Sequence, residues 1–215
     1  MGCIPRGALT LPAAVDSIGT MATTHEDQPY LHRWSRQAYG QLVEHGVLDE
    51  DDPVELLDGL LLVKEPQSSP HRTAVLLAAK ALDRAFGEGW FVQTQSPIVL
   101  DDRSEPEPDV CVVRGSPRDY VTAHPTRPAL VVEIAQSGLR LARGRKAAAY
   151  ARAGITDYWI VDLVARVLEV RREPARPGPA RRRWGYVAVE ALDAEATITP
   201  LAVPGAVVRV AELLP

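Results

Sequence analysis

A glutamate in the middle of the chain lies in an apolar segment, a position that a catalytic or binding role explains better than a purely structural one. Glu133 lies inside the apolar run Leu130–Ala135, whose composition predicts a strand buried on both faces. A buried carboxylate without a partner is strongly unfavourable, so Glu133 must bind a cation, pair with a base or hold a proton. An ion pair with one of the 21 arginines is the purely structural interpretation.

A second carboxylate, Asp109, begins the next apolar run upstream, residues 109–113. A carboxylate at the start of a strand commonly just ends a turn. If the two predicted strands are neighbours, however, Asp109 and Glu133 can bind one hard cation together, helped by a backbone carbonyl and water. Glu105 and Glu107 are close enough in sequence to compete for that role.

The third residue is Lys146, on a predicted helix over residues 139–153. Only three of the 24 basic residues are lysines. A solvated helix face is the simple interpretation. The alternative is a compact ammonium directed at a water or a phosphate oxygen, a task that the planar arginine side chain performs less well. Lys64 and Arg145 are the cations that would replace Lys146 if this assignment fails.

The surrounding pattern predicts the elements that must position these side chains. Asp58-Gly59 between Val54–Leu57 and Leu60–Val63 indicates a β-hairpin. Apolar spacings of three and four predict a long helix over residues 70–86 and a shorter one over 34–45. Further strands are predicted at residues 90–100 with an interruption at Pro97, and at residues 109–113, 130–135, 158–162, 166–171 and 184–189. This order predicts an α/β (α+β) fold, a mixed β-sheet flanked by helices, with an N-terminal hairpin and a C-terminal β extension.

Composition limits the possible classes of protein. The 215 residues, 46% of them hydrophobic, suffice for one ordinary domain. We predict a disordered tail over residues 1–29 and a single domain over 30–215. A net charge of −4 (24 − 28) excludes a surface that binds polyanions everywhere, so any nucleic-acid contact must be local.

The two cysteines and the hydropathy pattern indicate a cytoplasmic protein. Cys3 and Cys111 cannot form a disulfide scaffold or a four-ligand zinc site, and Cys111 is expected to be a buried thiol. No apolar run reaches the length that spans a bilayer, so we expect no membrane association.

Positive charge for a nucleic-acid contact is concentrated near the C-terminus. Six arginines fall within 13 residues, namely Arg171, Arg172, Arg176, Arg181, Arg182 and Arg183. Such a segment can follow a phosphate backbone, or it can be a solvated loop. Trp184 and Tyr186 beside it can stack on bases or belong to the core. No base-reading module is visible, so no sequence preference is predicted.

Several of these pieces occur in an order known from one family. They are Val54-Glu55-Leu56-Leu57-Asp58-Gly59, His71, Glu107-Pro108-Asp109-Val110, Leu130-Val131-Val132-Glu133-Ile134, and the segment from Lys146 to Asp162 with its Tyr-x-x-x-Gly-x-x-x-Tyr-Trp-x-x-x-Asp pattern. The chain resembles the PD-(D/E)xK nucleases and, more closely, the Uma-type restriction endonuclease family, formerly a domain of unknown function. The resemblance covers about 130 residues, from Trp34 to about Asp162.

The resemblance implies a restriction-endonuclease-like fold and a Mg²⁺ (or Mn²⁺) site. It assigns Asp109 and Glu133 as acidic metal ligands and the carbonyl of Ile134 as a third. Lys146 would replace the lysine that normally follows the glutamate by two residues, where this chain has Ala135.

The resemblance also extends to the substrate and to assembly. Glu55 would be an additional catalytic acid, and His71 a polar group near the substrate. DNA is the implied substrate, with Arg181, Arg182 and Arg183 as contacts, and a homodimer is the implied assembly.

The sequence therefore predicts a metal-dependent endonuclease that hydrolyses phosphodiester bonds in DNA through a PD-(D/E)xK-type site with a migrated lysine. The alternative is a catalytically degenerate protein that keeps the nuclease fold and acts as a homodimeric binding or structural module. Ala135, and Ala142 where family members often have aspartate, favour the alternative. A small-molecule metallohydrolase is disfavoured because the five histidines form no HExxH motif.

Overall fold

The structure is a computed structural model that describes residues 31–49, 52–64, 66–178 and 183–215. The helices of these ranges are α1 (Arg36–Glu44), α2 (Ser69–Phe86), α3 (Leu139–Leu141) and α4 (Ala147–Arg152). The strands are β1 (Val54–Leu57), β2 (Leu60–Val63), β3 (Trp90–Thr94), β4 (Val110–Arg114), β5 (Leu130–Ala135), β6 (Asp157–Asp162), β7 (Val167–Ala175), β8 (Gly185–Leu192), β9 (Thr197–Ile198) and β10 (Val208–Arg209). Short 3₁₀ turns cover Pro117–Tyr120 and Val210–Leu213.

A six-stranded mixed sheet with the order β3-β4-β5-β6-β7-β8 is the centre of the described chain. β5 and β6 are parallel, and the other neighbouring pairs are antiparallel. A parallel pair needs a crossover connection, which residues 139–152 supply. The hairpin β1–β2 and the pair β9–β10 are separate two-stranded sheets. The predicted mixed sheet with helices, an N-terminal hairpin and a C-terminal β extension is therefore confirmed.

Strand parity divides the core into two clusters on opposite faces of the sheet. Val110, Val132 and Trp159 pack in one cluster with α2, whereas Cys111 and Tyr158 pack in the other with α4. Since side chains alternate along a strand, Glu133 faces the α4 side. The burial expected for Cys111 is confirmed, with none of its surface exposed.

The α4 side of the crossover differs from the predicted continuous α-helix. Residues Ala142–Lys146 form a π-helical turn between α3 and α4, with Gly144 at its centre. Glycine has a low preference for α-helix, and π turns occur frequently at functional sites. The turn ends at Lys146, whose side chain it delivers to the buried face.

Two predicted strand boundaries differ most from the structure. β3 ends at Thr94, well before residue 100, because Gln95 takes a left-handed conformation with φ 48°. β7 runs to Ala175, into the segment expected to be a loop, because its end pairs with the start of β8. Residues 1–29, expected to be disordered, lie outside the described residues, so the predicted division of the chain stays a prediction. Among the helices of the described ranges, none combines the length and apolarity needed to cross a bilayer.

Candidate active site

A buried ion pair between Glu133 and Lys146 is the centre of the candidate site. Glu133 lies on β5, and Lys146 ends the π-helical turn. The Lys146 ammonium lies 3.0 Å from each oxygen of the Glu133 carboxylate. Less than a tenth of either side chain is exposed. The structural interpretation of Glu133 predicts an ion pair with an arginine, but the basic residue that contacts it is Lys146. Because Lys146 is buried, its interpretation as part of a solvated helix face is wrong.

Glu55, on the hairpin strand β1, contacts the same ammonium. Its Oε1 lies 3.2 Å from Lys146 Nζ, and the Glu107 backbone N–H donates to its Oε2 at 3.0 Å. The backbone N–H of Glu105 donates to the carbonyl of Leu56, which fixes the hairpin against the segment before β4. The hairpin thus carries Glu55 to the site although it belongs to a different sheet.

Asp109 lies beside Glu133 because β4 and β5 are neighbours. Val110 pairs with Val132, so the next step along this antiparallel register brings Asp109 to Glu133. Asp109 Oδ2 accepts a hydrogen bond from the backbone N–H of Ile134 at 2.7 Å. Its Oδ1 lies 3.0 Å from Nε2 of His71, on the first turn of α2.

These groups line one open pocket of about 450 Å³. Its walls include Glu55, His71, Asp109, Glu133, Ile134 and Lys146, all predicted from the sequence as site residues. Lys64 and Glu107 also line it and form an ion pair with each other. Glu105, considered as a competitor for the metal-binding role, instead lies within 3.8 Å of Arg36.

The charges in the pocket perturb one another. Burial raises the pKa of the Glu133 carboxyl to about 7, while the Lys146 ammonium opposes this rise and Asp109 adds to it. Burial alone would lower the pKa of Lys146, but the carboxylates of Glu133 and Glu55 raise it above its ordinary value. The hydrogen bond with Asp109 raises the pKa of His71. Groups perturbed in this way inside a cleft are typical of functional sites.

Sequence reasoning missed Tyr150, whose hydroxyl donates to Glu133 Oε1 at 2.6 Å. The signal was its position four residues after Lys146, which places both side chains on one helix face. Sequence reasoning also missed Gln95, which lines the pocket. Its backbone N–H donates to the carbonyls of Pro108 and Asp109, so its left-handed backbone holds the peptide that carries Asp109.

The predicted arginine contacts are mostly not available to a substrate or not described. Arg181 and Arg182 lie outside the described residues, and Arg183 is exposed. Arg171 and Arg172 are bound by carboxylates of Glu169 and Asp157. Tyr186 is buried and donates to the Ile155 carbonyl, so it belongs to the core and cannot stack on bases. Arg145 lies 3.8 Å from Asp58, in a different pocket.

The described ranges contain no gathered set of three His, Cys, Asp or Glu side chains ready to bind one ion. The contacts explain why, since Lys146 faces Glu133 and Glu55 while His71 faces Asp109. The donors are nevertheless carboxylate oxygens, which hard divalent cations prefer. Four carboxylates and two lysines line the pocket, which leaves an excess of negative charge that such a cation would balance.

Comparisons with known proteins agree with the resemblance seen in the sequence. A model of the Uma2 family, described as "Putative restriction endonuclease", matches residues 36–211. The crystal structure of "a putative nuclease belonging to DUF820 from Anabaena variabilis ATCC 29413" is similar with a TM-score of 0.61 and 16% identity, over 80% of this chain and 96% of that chain. At this identity the likeness concerns the fold. No match was found among the curated proteins.

Proposed function

Because this chain belongs to the Uma2 family, we propose that it is a metal-dependent endonuclease that hydrolyses phosphodiester bonds in DNA. The observation that carries the proposal is the buried contact of Lys146 with Glu133 and Glu55 beside Asp109. A buried ion pair is seldom more stabilising than apolar side chains of the same volume. An acidic cluster of this kind, open to a pocket, is therefore better explained by chemistry than by stability.

Asp109 and Glu133 would hold one Mg²⁺ or Mn²⁺ ion, with the backbone carbonyl of Ile134 as a third ligand. Their oxygen donors suit these ions, and the excess negative charge of the pocket supports a cation there. When bound, such an ion neutralises charge on a phosphate and lowers the pKa of a coordinated water.

The remaining side chains have supporting roles in this proposal. Lys146 would act as the migrated lysine, placing positive charge where negative charge develops on the phosphate. Glu55 would act as the additional acid and forms a second ion pair with the Lys146 ammonium. His71 contacts the Asp109 carboxylate through its Nε2 and lines the pocket, where it would lie near a bound substrate.

DNA would be bound through local positive charge, since the net charge of the chain is −4. Arg183 is exposed at the start of the segment that leads into β8, and Arg181 and Arg182 precede it in sequence. We propose a homodimer as the assembly. The exposure of Val187 and Val189 on β8, an edge strand of the sheet, supports a protein contact there.

One observation favours the alternative of a catalytically degenerate, homodimeric binding or structural module. The Lys146 ammonium has three N–H donors, and three carboxylate oxygens lie within 3.2 Å of it. If no cation displaces this arrangement, Lys146 remains a purely structural counter-ion. The two functions differ in whether the pocket binds a divalent cation.

The deciding experiment measures cleavage of plasmid and single-stranded DNA by the purified full chain with Mg²⁺, with Mn²⁺ and with EDTA. We expect metal-dependent cleavage that is lost in Glu133→Gln, a variant that keeps the side-chain shape but removes the charge. Cys111→Ser is the matched control, because Cys111 is buried in the neighbouring strand and lies outside the pocket lining. Absence of cleavage in every condition, with no Mg²⁺ binding by calorimetry, would favour the binding module.

A further inference from the structure

The pocket holds a second lysine that the proposed chemistry does not use. We propose that Lys64 binds a backbone phosphate of the nucleic-acid substrate and is held ready by Glu107 until the substrate arrives. This inference rests on the proposed nuclease function and adds a substrate-binding residue to it.

Lys146 is poorly placed to capture an incoming phosphate. Only 8% of its side chain is exposed, and its ammonium is surrounded by oxygens of Glu133 and Glu55. A substrate phosphate would have to compete with two buried carboxylates for this charge. Initial binding therefore needs a cation that is easier to reach.

Lys64 meets that need. It directly follows β2, lines the same pocket as Lys146, and has 34% of its side chain exposed. Its backbone is anchored, since its N–H donates to the carbonyl of Pro53 at 2.6 Å. Its ammonium forms an ion pair with Glu107. A partly exposed ion pair is weak, so a phosphate can replace the carboxylate at little cost.

Glu107 is suited to pair with Lys64 until a phosphate replaces its carboxylate. Its backbone N–H donates to Glu55, which fixes the chain at this point, while its side chain reaches Lys64. The segment that carries Asp109 thus also supplies the carboxylate that occupies Lys64. The Lys64–Glu107 pair lines the same pocket as Asp109 and Glu133.

The charge balance of the pocket gives a second reason. Glu55, Glu107, Asp109 and Glu133 all line it, so a polyanion that approaches is repelled unless lysine charge compensates. A compact ammonium on a flexible stem is suited to contacting a phosphate as a point charge. Lys64 supplies such a charge without disturbing the buried group around Lys146.

The test measures binding of a fluorescent duplex oligonucleotide to the full chain in EDTA, by anisotropy, at several salt concentrations. Loss of one phosphate contact reduces the magnitude of the slope of log K against log salt by about 0.9. This corresponds to roughly eightfold weaker binding at about 0.1 M salt. We expect this loss in Lys64→Ala but not in Lys64→Arg, which keeps the charge. Lys80→Ala, on the exposed face of α2, removes the same charge outside the pocket lining and is the control.

Glu107→Gln separates a substrate contact from a stabilising one. Without its carboxylate partner Lys64 is free to bind the phosphate, so DNA binding should become tighter in Glu107→Gln. If the ion pair were purely structural, Glu107→Gln and Lys64→Ala would weaken DNA binding to the same extent. In cleavage assays, Lys64→Ala should raise KM roughly eightfold and leave kcat nearly unchanged.

An unchanged salt slope and KM in Lys64→Ala, while the wild type binds and cleaves, would overturn this inference and leave the nuclease function intact. A wild type that neither binds nor cleaves nucleic acid would overturn both.

Discussion

The ammonium of Lys146 lies 3.0 Å from both carboxylate oxygens of Glu133, and more than nine-tenths of each side chain is buried. The two residues come from a central strand and from a π-helical turn in the crossover that follows it. Lys146 therefore occupies the position of a counter-ion to the two buried carboxylates of Glu133 and Glu55.

We expect Lys146→Met to destabilise the protein by about 3–5 kcal/mol, because it leaves Glu133 and Glu55 buried without their counter-ion. Mg²⁺ should restore part of this loss if it binds the freed carboxylates. Urea unfolding with and without Mg²⁺ measures both effects. Lys64→Met is the control and should cost no more than about 1 kcal/mol, since its ion pair is partly exposed. Equal stability of Lys146→Met and wild type would contradict the counter-ion role.

Tyr150→Phe should weaken divalent-metal binding about 10- to 100-fold, because the Tyr150 hydroxyl orients the Glu133 carboxylate through a 2.6 Å hydrogen bond. Calorimetric titration with Mn²⁺ measures the change. Tyr158→Phe removes a hydroxyl of equal burial, one that donates to the backbone carbonyl of Ala142 and not to Glu133. Metal affinity should stay at the wild-type value in this control, and a similar loss in both variants would argue against a specific role for Tyr150.

Stability should depend on pH through Glu169, on β7. Burial alone would raise the pKa of Glu169, but hydrogen bonds from Arg143 and Arg171 lower it below its ordinary value. The folded protein therefore binds this proton less readily than the unfolded chain, so the carboxylate adds stability above the unfolded pKa. That contribution is lost as the pH falls through the folded pKa.

Urea unfolding of wild type and Glu169→Gln, from about pH 7 to about pH 3, tests this expectation. The variant should be less stable at neutral pH, and the difference should shrink in acid. A difference that stays constant with pH would show that packing and not charge explains the effect of the substitution.

Cys111 should report global unfolding. Its thiol is fully buried, and burial raises its pKa far above the ordinary value, so little thiolate is available to react. In a Cys3→Ser background, a thiol-specific reagent should label Cys111 only at the rate at which the protein unfolds. Rapid labelling without denaturant would contradict the described burial.

Sequence patterns were sufficient for elements whose signals are local. The hairpin around Asp58-Gly59 forms with the predicted bounds of both strands, because its turn type depends on two adjacent residues. The long helix begins at Ser69 and ends at Phe86, within one residue of the prediction, because Ser68 and Gly87 cap it. The polarity of Glu133 within an apolar strand was equally visible without coordinates.

What depended on tertiary structure was the set of partners. No local rule predicts a π-helical turn at Ala142–Lys146, and a helix without it would present Lys146 in a different direction. The ion pair of Lys146 with Glu55 joins residues 91 positions apart, on a helical turn and a hairpin strand that only the folded chain brings together. The sequence by itself determined the local elements and the chemical types of the site residues. Only the packing of hairpin, sheet and crossover decided which charge faces which, because buried charges choose partners by distance in space and not along the chain.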